Sequence, residues 1–227
     1  MSKILFVVTG ATYWTLNDGT RHPTGYWAEE LLTPYKVFTE AGHDVVLATP
    51  GGVVPAPDPG SLAPGANGGR DVTPELAEIA ALAAPLKLED VDLADYQAVF
   101  YPGGHGPMED LAVDPTSGRL LVDALDSGKP LGVVCHAPAA LLAANRADGT
   151  SAFAGRKITA FSNEEERQGG LADKAIWLLE DRLKAIGADV KVAAPWTPNV
   201  VLDGNLLTGQ NPMSSGPLAV ELLKQLG

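Results

Sequence analysis

Leu131-Gly132-Val133-Val134-Cys135-His136-Ala137-Pro138 is the stretch whose reading decides the fold. Four residues without a charge make the kind of short run that parallel sheets bury on both sides, and Pro138 carries the fixed φ that suits the first turn of a helix. The stretch therefore reads as a strand, a turn and the start of a helix, with the chain's one cysteine on the turn. An imidazole beside the thiol and helix amides beneath it favour a thiolate, the form that attacks carbonyls. The competing reading is a buried free cysteine packed as a small hydrophobe.

Outward from this turn the same alternation recurs. Residues 4–8 form an apolar run, 28–41 carry helical spacing that ends at Gly42, and 44–48 form a second run closed by Pro50-Gly51-Gly52. Residues 98–101 read as a strand and 118–127 as a helix before the Leu131 run. After it, 138–145 read as a helix and 157–160 as a strand. This predicts an α/β fold, a three-layer sandwich in which a mostly parallel central sheet carries helices on both faces. Further on, 171–186 has helical spacing, and 190–193, 200–202 and 206–207 read as short strands with a turn at Asp203-Gly204-Asn205. A closing helix over about 215–226 is capped by Ser214 or Ser215. Pro55, Pro57, Pro59 and Pro64 make 53–70 a surface excursion, followed by a helical stretch at 74–84. The whole chain, 1–227, is expected to be one α/β domain with a loop-and-helix insertion at about 51–90.

Composition narrows the function classes. The chain has 227 residues and a formal net charge of -12, with no cluster of lysine or arginine to offset it, so neither nucleic acid nor an anionic membrane surface is an expected partner. One cysteine excludes an intramolecular disulfide, and His22, His43, His105 and His136 show no zinc-ligand spacing, so no metal is expected. The first βα turn reads Thr9-Gly10-Ala11-Thr12 rather than a dinucleotide fingerprint, and no phosphate-binding loop occurs, so no nucleotide cofactor is expected. The apolar run at 4–8 is too short for a signal-peptide core, and a cytoplasmic protein is expected.

Sites in open α/β sheets form at the carboxyl ends of the strands. The loop Pro102-Gly103-Gly104-His105-Gly106 lies at one such end, and its glycines let backbone amides approach a ligand or hold an oxyanion; the alternative is an ordinary tight turn. Glu29 and Glu30 open the first long helix, where acids are favoured by the dipole, yet one of them is placed to point into the same cleft and exchange a proton with the thiol. Trp14, Tyr26 and Trp27 either wall the pocket or fill the core.

Three segments together carry a family likeness: Gly25-Tyr26-Trp27-Ala28-Glu29-Glu30-Leu31-Leu32-Thr33-Pro34, Pro102-Gly103-Gly104-His105-Gly106, and Gly132-Val133-Val134-Cys135-His136-Ala137-Pro138. The chain resembles the ThiJ/PfpI superfamily, with the class I glutamine amidotransferase-like, flavodoxin-like fold. Thr208-Gly209-Gln210-Asn211-Pro212-Met213-Ser214-Ser215 looks like the family's late substrate-side loop. Relatives often carry glycine where Ala137 stands.

Within the superfamily the chain looks most like the heat-shock chaperone branch with glyoxalase III activity. That resemblance implies Cys135 as nucleophile, His136 as its partner, and Glu30, four positions before Pro34, as the acid at the cysteine. It also implies a third acid after the 157–160 strand; Glu164, Glu165 and Glu166 all offer one, and Glu166 is selected, against the alternative of a solvated acidic loop. Gly103, Gly104 and His105 would bind substrate or its oxyanion. No histidine follows His136, which argues against the glutaminase chemistry of amidotransferases proper.

The expectation is a glutathione-independent, cofactor-independent glyoxalase that converts methylglyoxal or another 2-oxoaldehyde into a 2-hydroxy acid, working as a homodimer. The alternatives are a chaperone or redox sensor of the same family, and a cysteine hydrolase acting on peptides.

Overall fold

Short apolar runs become the strands of a seven-stranded sheet in the computed structural model, which describes residues 1–226. In chain order the strands are β1 (Lys3–Val7), β2 (Asp44–Thr49), β3 (Leu86–Lys87), β4 (Ala98–Tyr101), β5 (Leu131–Val134), β6 (Val200–Asp203) and β7 (Leu206–Gly209). Their order across the sheet is β6-β7-β5-β4-β1-β2-β3, and every pairing is parallel except the β6-β7 hairpin. β4, β5 and β7 are buried at every residue, as strands covered on both faces must be.

The helix Ala28–Glu40 crosses from β1 to β2 and ends just before Gly42, whose φ of 83° is open to glycine at no steric cost. Its Phe38 meets Phe6 and Phe100 of the sheet, with ring centroids 5.9 and 6.1 Å away. The C-terminal helix Ser215–Leu226 packs beside it and against β5 and β7. The helix Pro115–Ser127 starts on Asp114, whose carboxylate accepts the Ser117 amide at 2.7 Å, and packs on the segment that follows Cys135.

Several elements differ from the sequence reading. After Cys135 the chain makes a 3₁₀ helix, Ala137–Ala143, a tight connector rather than an α-helix. Lys157–Ile158 leaves the main sheet and pairs with Asp189–Val190, because the next amide, Thr159, donates to the Thr208 hydroxyl instead of to a strand. Only Leu179–Ala185 of the stretch 171–186 is helical; the Asp173 and Lys174 carbonyls are drawn off by Asn17 at 2.8 Å each. The stretch 74–84 splits into Thr73–Ala77 and Ala80–Ala83. Prolines of the excursion open two 3₁₀ turns, Pro59–Leu62 and Pro64–Asn67, and the end of the 51–90 insertion supplies the edge strand β3. A hairpin, Tyr13–Thr15 against Arg21–Pro23, lies between β1 and the helix Ala28–Glu40.

Candidate active site

β5 delivers Cys135 to the carboxyl edge of the sheet. Its amide donates to Gly209 and its carbonyl accepts from Phe161, both at 2.9 Å, while its φ stands at 62°. A non-glycine residue in the left-handed region is strained by about 1 kcal/mol or more, and both backbone bonds hold it there. The sulfur ends up beneath the surface, with the residue 3% exposed.

β4 ends in the Gly103-Gly104 turn, and both glycines are required by close approach. A Cβ on Gly103 would lie 2.6 Å from Glu30 Oε2 and from the Val134 carbonyl; Gly104 has φ 93° and packs on the backbone of Gly25 and Trp27. The Gly103 amide donates to Glu30 Oε2 at 2.7 Å, so it is committed to the acid and does not line the cavity. The Gly104 amide instead approaches the Cys135 sulfur. Glu30 is wholly buried, while Glu29 on the next position is only partly so.

The third acid is sorted out by helix geometry. Ser162 caps Asn163–Gln168 in a capping box with Glu165, which turns Glu165 inward, where it accepts from Gln210, Asn211 and the Trp196 amide at 2.8–3.0 Å. Glu164 pairs with Arg167 at the surface. Glu166 faces the thiol side: its Oε2 is 2.7 Å from His136 Nε2, and its Oε1 is 3.0 Å from His105 Nε2. His136 Nδ1 lies 3.3 Å from Cys135 Sγ. A carboxylate only accepts, so Nε2 of His136 carries the proton and the Nδ1 lone pair faces the thiol.

The electrostatics oppose one sequence expectation. Burial, followed by the neighbouring Glu30 charge, pushes the Cys135 thiol well above its ordinary value, and the Gly104 amide offsets only part of this. The resting group is a protonated thiol rather than the thiolate that the turn suggests. Burial likewise raises Glu30 to about 8, so the carboxyl holds its proton at neutral pH. Burial and the nearby His105 lower His136, leaving a neutral imidazole. Burial works to raise Glu166, but its two histidine partners outweigh that and hold it well below the usual carboxylate range.

A cavity of about 290 Å³ opens over the thiol. Trp27, suspected from sequence, lines it; Trp14 stacks on His105 at 4.7 Å from beneath, and Tyr26 is core. Phe161 and Trp196 form a wall that sequence reading missed, as did His22 from the hairpin and Asp58 from the proline-rich excursion. Trp196 adopts φ 58°, which nothing in its neighbourhood of sequence announces. The ligating atoms of His105, His136 and Glu166 lie within 4.8 Å of one another, a grouping from two strand-end turns and a short helix that residue spacing cannot reveal. No helix among the described residues is long and apolar enough to cross a membrane.

Comparison with known proteins agrees with this architecture. Glyoxalase III of Candida albicans superposes with a TM-score of 0.85 at 27% identity, covering 98% of this chain and 96% of that one. The Rapid Encystment Protein 24 kDa of Francisella tularensis gives 0.89 at 28% identity over 100% of both chains. The Protein/nucleic acid deglycase HchA of Staphylococcus aureus (strain MSSA476) is 29% identical over 229 residues, 95% of this chain and 77% of that protein. Its name includes nucleic acid, in tension with what the acidic charge of this chain suggests. The model of the DJ-1/PfpI family matches residues 24–225, nearly end to end and through all three segments that carry the likeness, and the chain belongs to that family.

Proposed function

We propose that this protein is a glutathione-independent glyoxalase that turns methylglyoxal or a related 2-oxoaldehyde into the 2-hydroxy acid at Cys135. The observation that carries the reading is the continuous line Cys135–His136–Glu166, with the buried Glu30 against the same sulfur, under a cavity of about 290 Å³. A cavity of that size suits a three-carbon carbonyl better than a peptide, which weighs against the hydrolase alternative.

In this mechanism His136 Nδ1 accepts the thiol proton as the sulfur adds to the aldehyde carbon, giving a hemithioacetal. The Gly104 amide and the backbone beside His136 steady the oxyanion. Glu166 stabilises the imidazolium that forms. The imidazolium returns its proton to the oxyanion, and the neutral His136, or Glu30 once it has ionised, then takes the proton of the aldehyde-derived carbon and delivers it to the neighbouring carbon through an enediolate, which leaves a thioester on Cys135. Water hydrolyses the thioester to the hydroxy acid and restores the thiol.

The name of the Staphylococcus relative supports a second use of the same site. Attack of the sulfur on an aminocarbinol formed from methylglyoxal and an amine would expel the amine and give the same hemithioacetal.

The test is lactate formation from methylglyoxal by the purified protein without glutathione, beside Cys135→Ser. Cysteine-dependent lactate is the expected result; equal rates from both proteins overturn the reading.

A further inference from the structure

Glu166 has a second histidine that a thiol, imidazole and carboxylate line does not require. His136 occupies one carboxylate oxygen at 2.7 Å, and His105 occupies the other at 3.0 Å. Two imidazole nitrogens and a carboxylate thus converge on one point beside the cavity, their ligating atoms all within 4.8 Å of one another. We propose that His105, His136 and Glu166 form a binding site for a single divalent transition-metal ion of the zinc class, and that an ion bound there shuts down the chemistry at Cys135.

Metal-to-ligand distances of about 2.0–2.2 Å set tetrahedral N and O ligands roughly 3.3 Å apart. Each imidazole is already inside that separation from one of the two carboxylate oxygens, and closing the donors, now within 4.8 Å of one another, onto one ion requires the carboxylate and the two imidazoles to rotate toward a shared point. The donor set, two imidazoles and one carboxylate without sulfur, suits zinc, cobalt and their neighbours rather than calcium or magnesium. Trp14 stacks on the His105 ring at 4.7 Å and Phe161 lies 4.3 Å from the His136 ring, so both ligands are held in orientation. The cavity above them leaves room for water as a fourth ligand, and the net charge of -12 favours cation encounter.

The effect on chemistry follows from the two faces of His136. Metal on Nε2 confines the ring proton to Nδ1, which faces Cys135 Sγ at 3.3 Å, so the imidazole can no longer accept the thiol proton. The sulfur is on the opposite side of the ring and is not a ligand.

The test is a cobalt(II) titration of the chelator-treated full-length protein, read by visible d–d absorption, with zinc as competitor. One equivalent of tetrahedral cobalt, displaced by zinc, is expected in the wild type and in Cys135→Ser. His105→Ala and His105→Gln, each checked for native circular dichroism, are expected to weaken binding by more than the about 10–100-fold typical of outer-shell partners. Absence of the band up to millimolar cobalt, its persistence in both folded His105 variants, or its loss in Cys135→Ser together with a thiolate charge-transfer band would overturn the proposal. Because absorption is read without turnover, failure here is separate from failure of the glyoxalase reading; zinc inhibition of lactate formation, reversed by chelator, is the corollary where that activity is present.

Discussion

The Glu166 carboxylate lies 2.7 Å from His136 Nε2, and that contact fixes which nitrogen of the ring faces the thiol. Replacing it with an amide reverses the logic, because Glu166→Gln can donate to Nε2 and drive the proton to Nδ1. Lactate formation is expected to fall by about 10²–10⁴-fold, the range of a lost general base. The fold should survive, since the shape is kept; initial rates beside a thermal melt separate the two effects.

Glu164, Glu165 and Glu166 are chemically identical and structurally unrelated, which a stability scan makes visible. Glu165 is fully buried and accepts from Ser162, Gln210, Asn211 and the Trp196 amide. Glu165→Ala strands those donors and should cost on the order of 3 kcal/mol or more. Glu164→Ala removes only exposed contacts with Arg167 and Gln168 and should cost under about 1 kcal/mol. Denaturant melts of the two variants, compared with wild type, measure the difference; equal costs would refute the assignment of Glu165 as the buried hub.

The strands that build the sheet were legible because each is a short apolar run, and Cys135 was legible because it follows one of them directly. Glu30 and Glu166 needed the family likeness, since acids at a helix start are common for reasons unrelated to chemistry. Apart from Trp27, the walls of the cavity were not legible. Asp58 arrives from a proline-rich excursion, His22 from a hairpin of three-residue strands, and Trp196 from a left-handed backbone position. Periodicity reports which face of an element is buried, whereas these residues are placed by hydrogen bonds between distant segments, such as Trp196 Nε1 to Gln168 at 2.7 Å. The shortened helix at Leu179–Ala185 fails for the same reason, with Asn17 capturing carbonyls that helical spacing assigns elsewhere.

Gly103 tests how closely the two strand-end turns are packed. Its absent Cβ leaves room for Glu30 Oε2, and in Gly103→Ala that atom would sit 2.6 Å from the carboxyl oxygen and 2.9 Å from Cys135 Cβ. The Val134 carbonyl at 2.6 Å is backbone and cannot swing away. Overpacking of this kind costs about 1–3 kcal/mol, and displacement of Glu30 should lower turnover as well. Gly65→Ala, with nothing within 4 Å of the new methyl, is the control and should leave both melting temperature and rate close to wild type.

Glu30 should make stability fall as pH rises. Its carboxyl titrates near 8 in the folded protein against an ordinary value of 4.5, so from about pH 4.5 upward the unfolded chain releases a proton that the folded chain retains. The unfolded state then binds fewer protons, and the linkage slope is negative between the two values and flat above the upper one. Glu30→Gln keeps an acceptor for the Gly103 amide and removes the titration. The variant should therefore be more stable than wild type by a few kcal/mol at pH 8 and by under about 1 kcal/mol at pH 5. Denaturant melts of both proteins from pH 5 to pH 9 measure the gap directly. A gap that stays constant with pH would mean that Glu30 ionises normally in the fold, and the proton assigned to it beside Cys135 would have to come from elsewhere.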